Sequence, residues 1–391
     1  MRAVRLRRLL PLLLPTLLLT VRPTPTFSQT DTGQPGDIVS ASPSVFSMDP
    51  LLHLPMPGVR ATRVLYRSTT TVGEPNVVSG TILVPTLPYL RGGGRPLVSY
   101  AVGTQGLGDQ CAPSNQMAAG TETEAGIIQG MLLQGWAVAV TDYEGLGTPG
   151  QHTYVVGPSL GHAVLDVARA AIRLPGTGLG AATPLAIWGY SEGGAASSWA
   201  AELQPSYAPE LVLRGVATGG VPADIEATAR NLDGGLFAGF GVSALIGLDA
   251  AHPELQLAQY LNATGRQKVA ANENACLAGL VAAFALTKYS DLTTTDVLAL
   301  PDWQSAFGES RLGTIAPQVP ILQYHGLLDE VIPYSLGRAL RAEWCSQGAV
   351  VQFDTYPAEH ATGVLAGAPA AMLWLGARFA GLPAPSNCTS P

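Results

Sequence analysis

The feature that most restricts the fold is an alternation between short continuous apolar runs and stretches of helical periodicity. After two earlier runs, the pattern places apolar segments at residues 96–101, 137–142, 185–189, 213–219, 321–325 and 350–356. Runs of this length without polar alternation suit strands covered on both faces, as in a parallel sheet. The earlier runs, 61–68 and 77–84, flank a Gly-Glu-Pro-Asn turn at 73–76 and read as an antiparallel opening hairpin. Within residues 162–174 the apolar positions 164, 167, 168 and 171 follow the i, i+3, i+4, i+7 spacing of a helix crossing a sheet. The alternation predicts a mostly parallel sheet with helices on both faces and a ligand site at the carboxyl ends of the strands.

Between about residues 222 and 317 the strand pattern stops and helical patterns dominate. The chain therefore reads as a core in two parts, 29–221 and 317–391, with a helical cap or lid inserted at 222–316. Apolar segments at 236–248 and 275–286 are expected to form one wall of an apolar pocket. The Pro/Thr/Ser-rich stretch 23–45 reads as an extended lead-in.

Residues 1–28 have the pattern of a secretory signal peptide, with Arg2, Arg5, Arg7 and Arg8 ahead of an apolar stretch at 9–20. Pro11 and Pro15 interrupt that stretch, which is shorter than the ~20 residues needed to span a bilayer, and cleavage is expected near Ser28. Its removal deletes five arginines and takes the formal charge from −7 to about −12, which disfavours nucleic acid as a partner. No other stretch reads as a membrane span, so a secreted chain without stable membrane insertion is expected; the sequence leaves its oligomeric state open. The charged fraction of 13% argues for a large buried core rather than disorder.

Cys111, Cys276, Cys345 and Cys388 form an even set in a chain addressed to an oxidising compartment, and two disulfides follow. Three connectivities are possible; Cys111 with Cys276 and Cys345 with Cys388 is the favoured one. None of the spacings has the C-x-x-C form of a zinc or redox site. No metal or organic cofactor is implied.

The chemistry centres on Gly189-Tyr190-Ser191-Glu192-Gly193. G-x-S-x-G alone is a weak signal, but here an apolar strand runs into Gly189 and a helical pattern leaves at 195–203. That is the strand-turn-helix of a nucleophile elbow, and it predicts an α/β-hydrolase fold. Glycines flank the serine because side chains there would collide with neighbouring elements, and the Glu192 N–H, at a helix start, is aimed where an oxyanion would form. A serine nucleophile needs a base held by an acid, in the chain order Ser, Asp, His for this fold. Asp329 follows the strand at 321–325 and His360 follows the strand at 350–356. Glu330 and Glu359 are rival acids; His53, His152, His162, His252 and His325 fit the base less well, and His325 suits a packing or hydrogen-bonding role. A second oxyanion donor is expected from Gly103-Thr104-Gln105-Gly106, with Thr104 or Gln105 as candidates. Asp142, after the strand at 137–142, suits a loop-stabilising role. Asn262-Ala263-Thr264 and Asn387-Cys388-Thr389 are sequons.

These residues resemble the secretory lipases, the group similar to Candida lipase A that includes actinobacterial members. The resemblance rests on Val64-Leu65-Tyr66-Arg67-Ser68, Ser79-Gly80-Thr81, Gly103-Thr104-Gln105-Gly106 through Cys111-Ala112-Pro113-Ser114, the serine motif with Gly194, and His325-Gly326 followed by Asp329 and Pro333. It implies a triad of Ser191, Asp329 and His360, a helical lid from about residue 222 to 316, and triacylglycerols or simpler esters as substrates; the apolar segments of the lid suggest long acyl chains or a lipid–water interface. The Cys111–Cys276 pairing also resembles the family's. The fungal relative carries an acidic side chain in its oxyanion loop, whereas here no carboxylate follows Thr104 before Asp109.

Overall fold

A computed structural model describes residues 33–389; the signal-peptide reading of residues 1–28 lies outside the described residues. Nine strands form one sheet: β1 (Ile38–Ser44), β2 (Val59–Thr69), β3 (Pro75–Pro85), β4 (Leu97–Ala101), β5 (Ala137–Thr141), β6 (Leu185–Tyr190), β7 (Leu213–Gly219), β8 (Ile321–Gly326) and β9 (Val351–Tyr356). Their order is β1-β2-β3-β5-β4-β6-β7-β8-β9. The hairpin β2–β3 and its pairings to β1 and β5 are antiparallel; every pairing from β5 to β9 is parallel.

Every residue of β4, β5, β6 and β8 is buried, which is why their sequences carry no polar alternation. Helices Gly157–Arg173, Glu192–Tyr207 and Tyr334–Ser346 cover one face of the sheet; Pro113–Ala119, Ala125–Leu133 and His360–Phe379 cover the other. Strand β1 lies within the stretch read from sequence as an extended lead-in, and it corrects that reading. It pairs antiparallel with β2 at the sheet edge and is mostly exposed, so no apolar stripe marked it as a strand.

Between β7 and β8 the chain is mainly helical, including Ile225–Leu232, Ala238–Ala251, Leu277–Phe284 and Pro301–Glu309. These helices bury their apolar faces in a second core, with Leu245, Leu280, Phe284 and Trp303 packed against Leu107 and residues 154–156 from the loops after β4 and β5. The insertion thereby sits over the carboxyl ends of the strands.

Cys111 is bonded to Cys276 and Cys345 to Cys388. The first bond joins the loop after β4 to the insertion. The second ties the C-terminal tail to helix Tyr334–Ser346, and the Asn387 side-chain amide pairs with Phe353 N–H and C=O, each at 2.9 Å. That sequon asparagine continues the β9 ladder, while Asn262 caps helix Ala263–Asn272.

Candidate active site

Ser191 stands between β6 and helix Glu192–Tyr207 with φ 61° and ψ −121°, a conformation that residues with a side chain rarely adopt. Its N–H donates to Gly219 O at 3.0 Å at the end of β7, and its carbonyl accepts the Ala195 N–H at 2.9 Å. The glycines around it have a steric cause. A Cβ on Gly193 would lie 1.9 Å from the Ala101 carbonyl oxygen, and one on Gly189 would lie 2.1 Å from that of Gly193.

His360 opens the helix after β9, and Asp329 lies in the loop after β8. His360 Nε2 is 2.9 Å from Ser191 Oγ, and Nδ1 is 2.8 and 3.0 Å from the two Asp329 carboxylate oxygens. A carboxylate only accepts, so Nδ1 carries the proton and Nε2 accepts from the serine hydroxyl. Asp329 also accepts the N–H groups of Val331 and Ile332. His325, fully buried, lies 3.4 Å from Asp329 on another side, with its Nε2 3.0 Å from the Ile332 carbonyl. Burial pushes the Asp329 carboxyl up, but His325, His360 and the Ile332 N–H outweigh it and hold it well below the usual carboxylate range. The rival acids have other partners: Glu330 accepts the His360 N–H at 3.2 Å, and Glu359 caps helix His360–Phe379 through the N–H groups of Ala361 and Thr362.

The two oxyanion-loop candidates separate. Thr104 lines the cavity at Ser191, and its hydroxyl is 2.9 Å from Tyr154 OH. The Gln105 side chain turns inward, donating to Gly103 O at 3.2 Å and Glu122 at 3.3 Å, while the Gln105 main-chain carbonyl accepts the Leu277 N–H. Gln105 thus braces the loop and does not bring its amide to the serine, which corrects its candidacy as a side-chain donor. Glu192 begins its helix, so its N–H has no intrahelical acceptor. Asp142 is fully buried and binds Ser79, Ser114 Oγ and Ser114 N–H, the loop-holding role its position suggested.

Sequence reasoning passed over Glu122 and Glu124. Glu124 accepts the Gly103 N–H at 2.7 Å and the Tyr100 hydroxyl, and it lines the cavity at Ser191. Burial and the neighbouring Glu124 push Glu122 up to about 8. Thr121-Glu122-Thr123-Glu124 reads like a solvated turn, and nothing local marks it as interior. The acidic group near the oxyanion loop therefore comes from a different segment of the chain.

Two cavities meet at Ser191. The wider, about 390 Å³, is lined by Phe237, Phe240, Leu277 and Val281 of the insertion and by Val364 and Leu365 of the helix after His360. The narrower, about 30 Å³, lies among Tyr154, Ile225, Leu232, Phe240 and Ile332. Among the described residues no cluster of His, Cys, Asp and Glu could hold a metal ion, and no helix is long and apolar enough to cross a membrane.

A mixed sheet with a serine at a strained strand–helix turn, under a helical insertion that walls an apolar cavity, defines an α/β-hydrolase of the ester-hydrolase class. The profile of the family described as "Secretory lipase" matches residues 111–387. Lipase 10 of Candida albicans is 32% identical over 385 residues, covering 91% of this chain and 80% of that protein. A probable inactive lipase of Mycobacterium tuberculosis is 33% identical over 348 residues, covering 84% of this chain and 76% of its own length. The structure of Candida antarctica lipase A in its closed state matches with a TM-score of 0.82 at 26% identity, covering 92% of this chain and 85% of that one. The chain belongs to the secretory lipase family, and its activity is that of a lipase or esterase.

Proposed function

We propose that this chain is a secreted lipase that hydrolyses triacylglycerols and related carboxylic esters through an acyl-enzyme on Ser191. His360 takes the serine proton and returns it to the leaving alcohol, Asp329 orients the ring and stabilises the imidazolium, and Glu192 N–H with the Thr104 region receives the oxyanion. The observation that carries this reading is the continuous hydrogen-bond chain Asp329–His360–Ser191, at 2.8 and 2.9 Å, opening onto an apolar cavity. One relative is called a probable inactive lipase; in this chain Ser191, His360 and Asp329 are all present and hydrogen-bonded in series.

Long acyl chains and a lipid–water interface are supported by the apolar lining and by its rim. Leu365, which lines the wider cavity, is 63% exposed, and Leu236, next to the lining Phe237, is 60% exposed. The rival within the same machinery is an esterase on small or aromatic esters, an acyltransferase or a peptidase. A chain-length series of nitrophenyl esters and emulsified triglycerides, run with Ser191→Ala, separates them. The lipase reading expects activity to rise with chain length and above the solubility limit, and the variant to lose at least about a thousandfold. Activity confined to short soluble esters would remove the lipase assignment, and a Ser191→Ala variant as active as the parent would remove the mechanism.

A further inference from the structure

We infer that His152 and Glu192 hold one proton between them and act as a positioning pair whose charge governs oxyanion stabilisation. This rests on the reading of Ser191 as nucleophile and extends it to a residue pair behind the oxyanion site. His152 Nε2 lies 3.0 Å from Glu192 Oε1, Nδ1 lies 2.8 Å from the Glu144 carbonyl oxygen, and both side chains are buried. A carbonyl oxygen only accepts, so Nδ1 carries a hydrogen. The contact at Nε2 then needs one further proton, either as imidazolium with carboxylate or as neutral imidazole with carboxylic acid. In both forms the pair is neutral. Without that proton, two lone pairs face each other and a bare carboxylate stands buried one residue from the nucleophile. The second Glu192 oxygen has no hydrogen-bond partner, so the site is poorly equipped to hold that carboxylate alone.

The surroundings tie the pair to both walls of the oxyanion site. Tyr143 stacks on His152 at 6.1 Å and donates its hydroxyl to the Val102 carbonyl at 2.7 Å. Tyr154 meets the ring edge-on at 6.0 Å and contacts Thr104 through its hydroxyl. The neighbouring carboxyls are Glu144, bound by the Ser159 hydroxyl, and the buried Glu124 and Glu122, both pushed up by burial. On the other side of Ser191 stand the triad groups His360 and Asp329, with Glu330 and Tyr190 lining the same cavity. A pair without its shared proton therefore puts a negative charge beside the position where the oxyanion forms. The penalty falls on the oxyanion rather than on the neutral ester, so it enters kcat and leaves KM nearly constant.

The test compares kcat and KM of the full chain, of His152→Leu and of His152→Leu combined with Glu192→Gln on a soluble nitrophenyl ester at one neutral pH. Circular dichroism reports folding, and labelling with a phosphonate serine reagent reports Ser191. His152→Leu leaves the Glu192 carboxyl buried without its partner, and kcat is expected to fall at least about tenfold with KM nearly constant, the scale of one added unit charge in a partly screened site. Adding Glu192→Gln removes that charge and should recover most of the lost kcat. His152→Gln, which keeps a neutral donor of similar size, is the independent check if His152→Leu fails to fold, and its loss should also be relieved by Glu192→Gln. No loss in kcat, or a loss that Glu192→Gln does not relieve, with Ser191 labelled in each variant, overturns the inference and leaves the nucleophile standing. A parent whose Ser191 does not label brings down the nucleophile reading itself.

Discussion

Asp329 lies close to two histidines, and they do different work. His360 links the carboxylate to the serine, whereas His325, fully buried, donates to the Ile332 carbonyl and closes the loop whose N–H groups bind the same carboxylate. Asp329→Asn can present an amide N–H to His360 Nδ1 and so stabilise the wrong tautomer. Its kcat on a soluble ester is expected to fall about 10⁴-fold, the size of that change in a Ser-His-Asp triad. His325→Leu leaves the charge in place and removes only the brace, so a loss nearer tenfold is expected, with KM little changed. Equal losses in the two variants would mean that His325 belongs to the proton-transfer chain and is not merely a brace. Both variants are read against a serine reagent, since a folded site that still labels slowly distinguishes lost basicity from lost structure.

At the scale of elements, the loop after β4 and the start of helix Leu277–Phe284 form one clamp. Leu107 N–H donates to Ala275 O, Leu277 N–H donates to Gln105 O, and a Cβ on Gly106 would lie 2.5 Å from Cys276 Cα. The Cys111–Cys276 bond closes a separation of 165 residues at this same place. Replacing both cysteines by serine should cost up to about 5 kcal/mol by loop-closure entropy, measured by urea unfolding. It should also lower activity on long esters more than on short ones, because Leu277 and Val281 line the wider cavity; an unchanged chain-length profile would show that the clamp serves stability alone. The same elements show what the sequence could reveal. The strands from β4 to β8 were legible because burial on both faces removes polar alternation, the hairpin β2–β3 because its two runs flank a Gly-Glu-Pro-Asn turn, and Ser191, Asp329 and His360 because each follows an apolar run. Strand β1, Ile-Val-Ser-Ala-Ser-Pro-Ser at a solvated edge, had no buried face to write a pattern. Glu124 and His152 are polar residues in loops, and only the convergence of separate loops around Ser191 makes them interior.

Across the whole molecule the buried acids set a direction for stability against pH. Burial is the largest cause in raising Glu122 to about 8, Glu202 to about 7 and Asp166 to about 6. A carboxyl whose folded value is raised keeps a proton that the unfolded chain releases near pH 4. Its contribution is therefore complete below about pH 4 and is lost as pH rises through the folded value, at about 1.4 kcal/mol per pH unit for each group. Asp329 works in the opposite sense: held low in the fold, it stabilises above about pH 4 and loses that contribution as pH falls. Together they place the stability maximum near pH 4, with a decline that runs through pH 8. Glu202 is the cleanest probe because its carboxylate joins two helices, accepting Trp344 Nε1–H at 2.7 Å and Gly313 N–H at 2.8 Å through one oxygen, while its other oxygen has no partner. Glu202→Gln keeps a carbonyl oxygen for both donors and removes the ionisation. Thermal melts across this range should show the parent losing Tm from the acid side of neutral to pH 8 and the variant losing less. A parent Tm that is flat or rising over the same interval would mean that these acids ionise in the folded state at no cost, through water or cations that reach them.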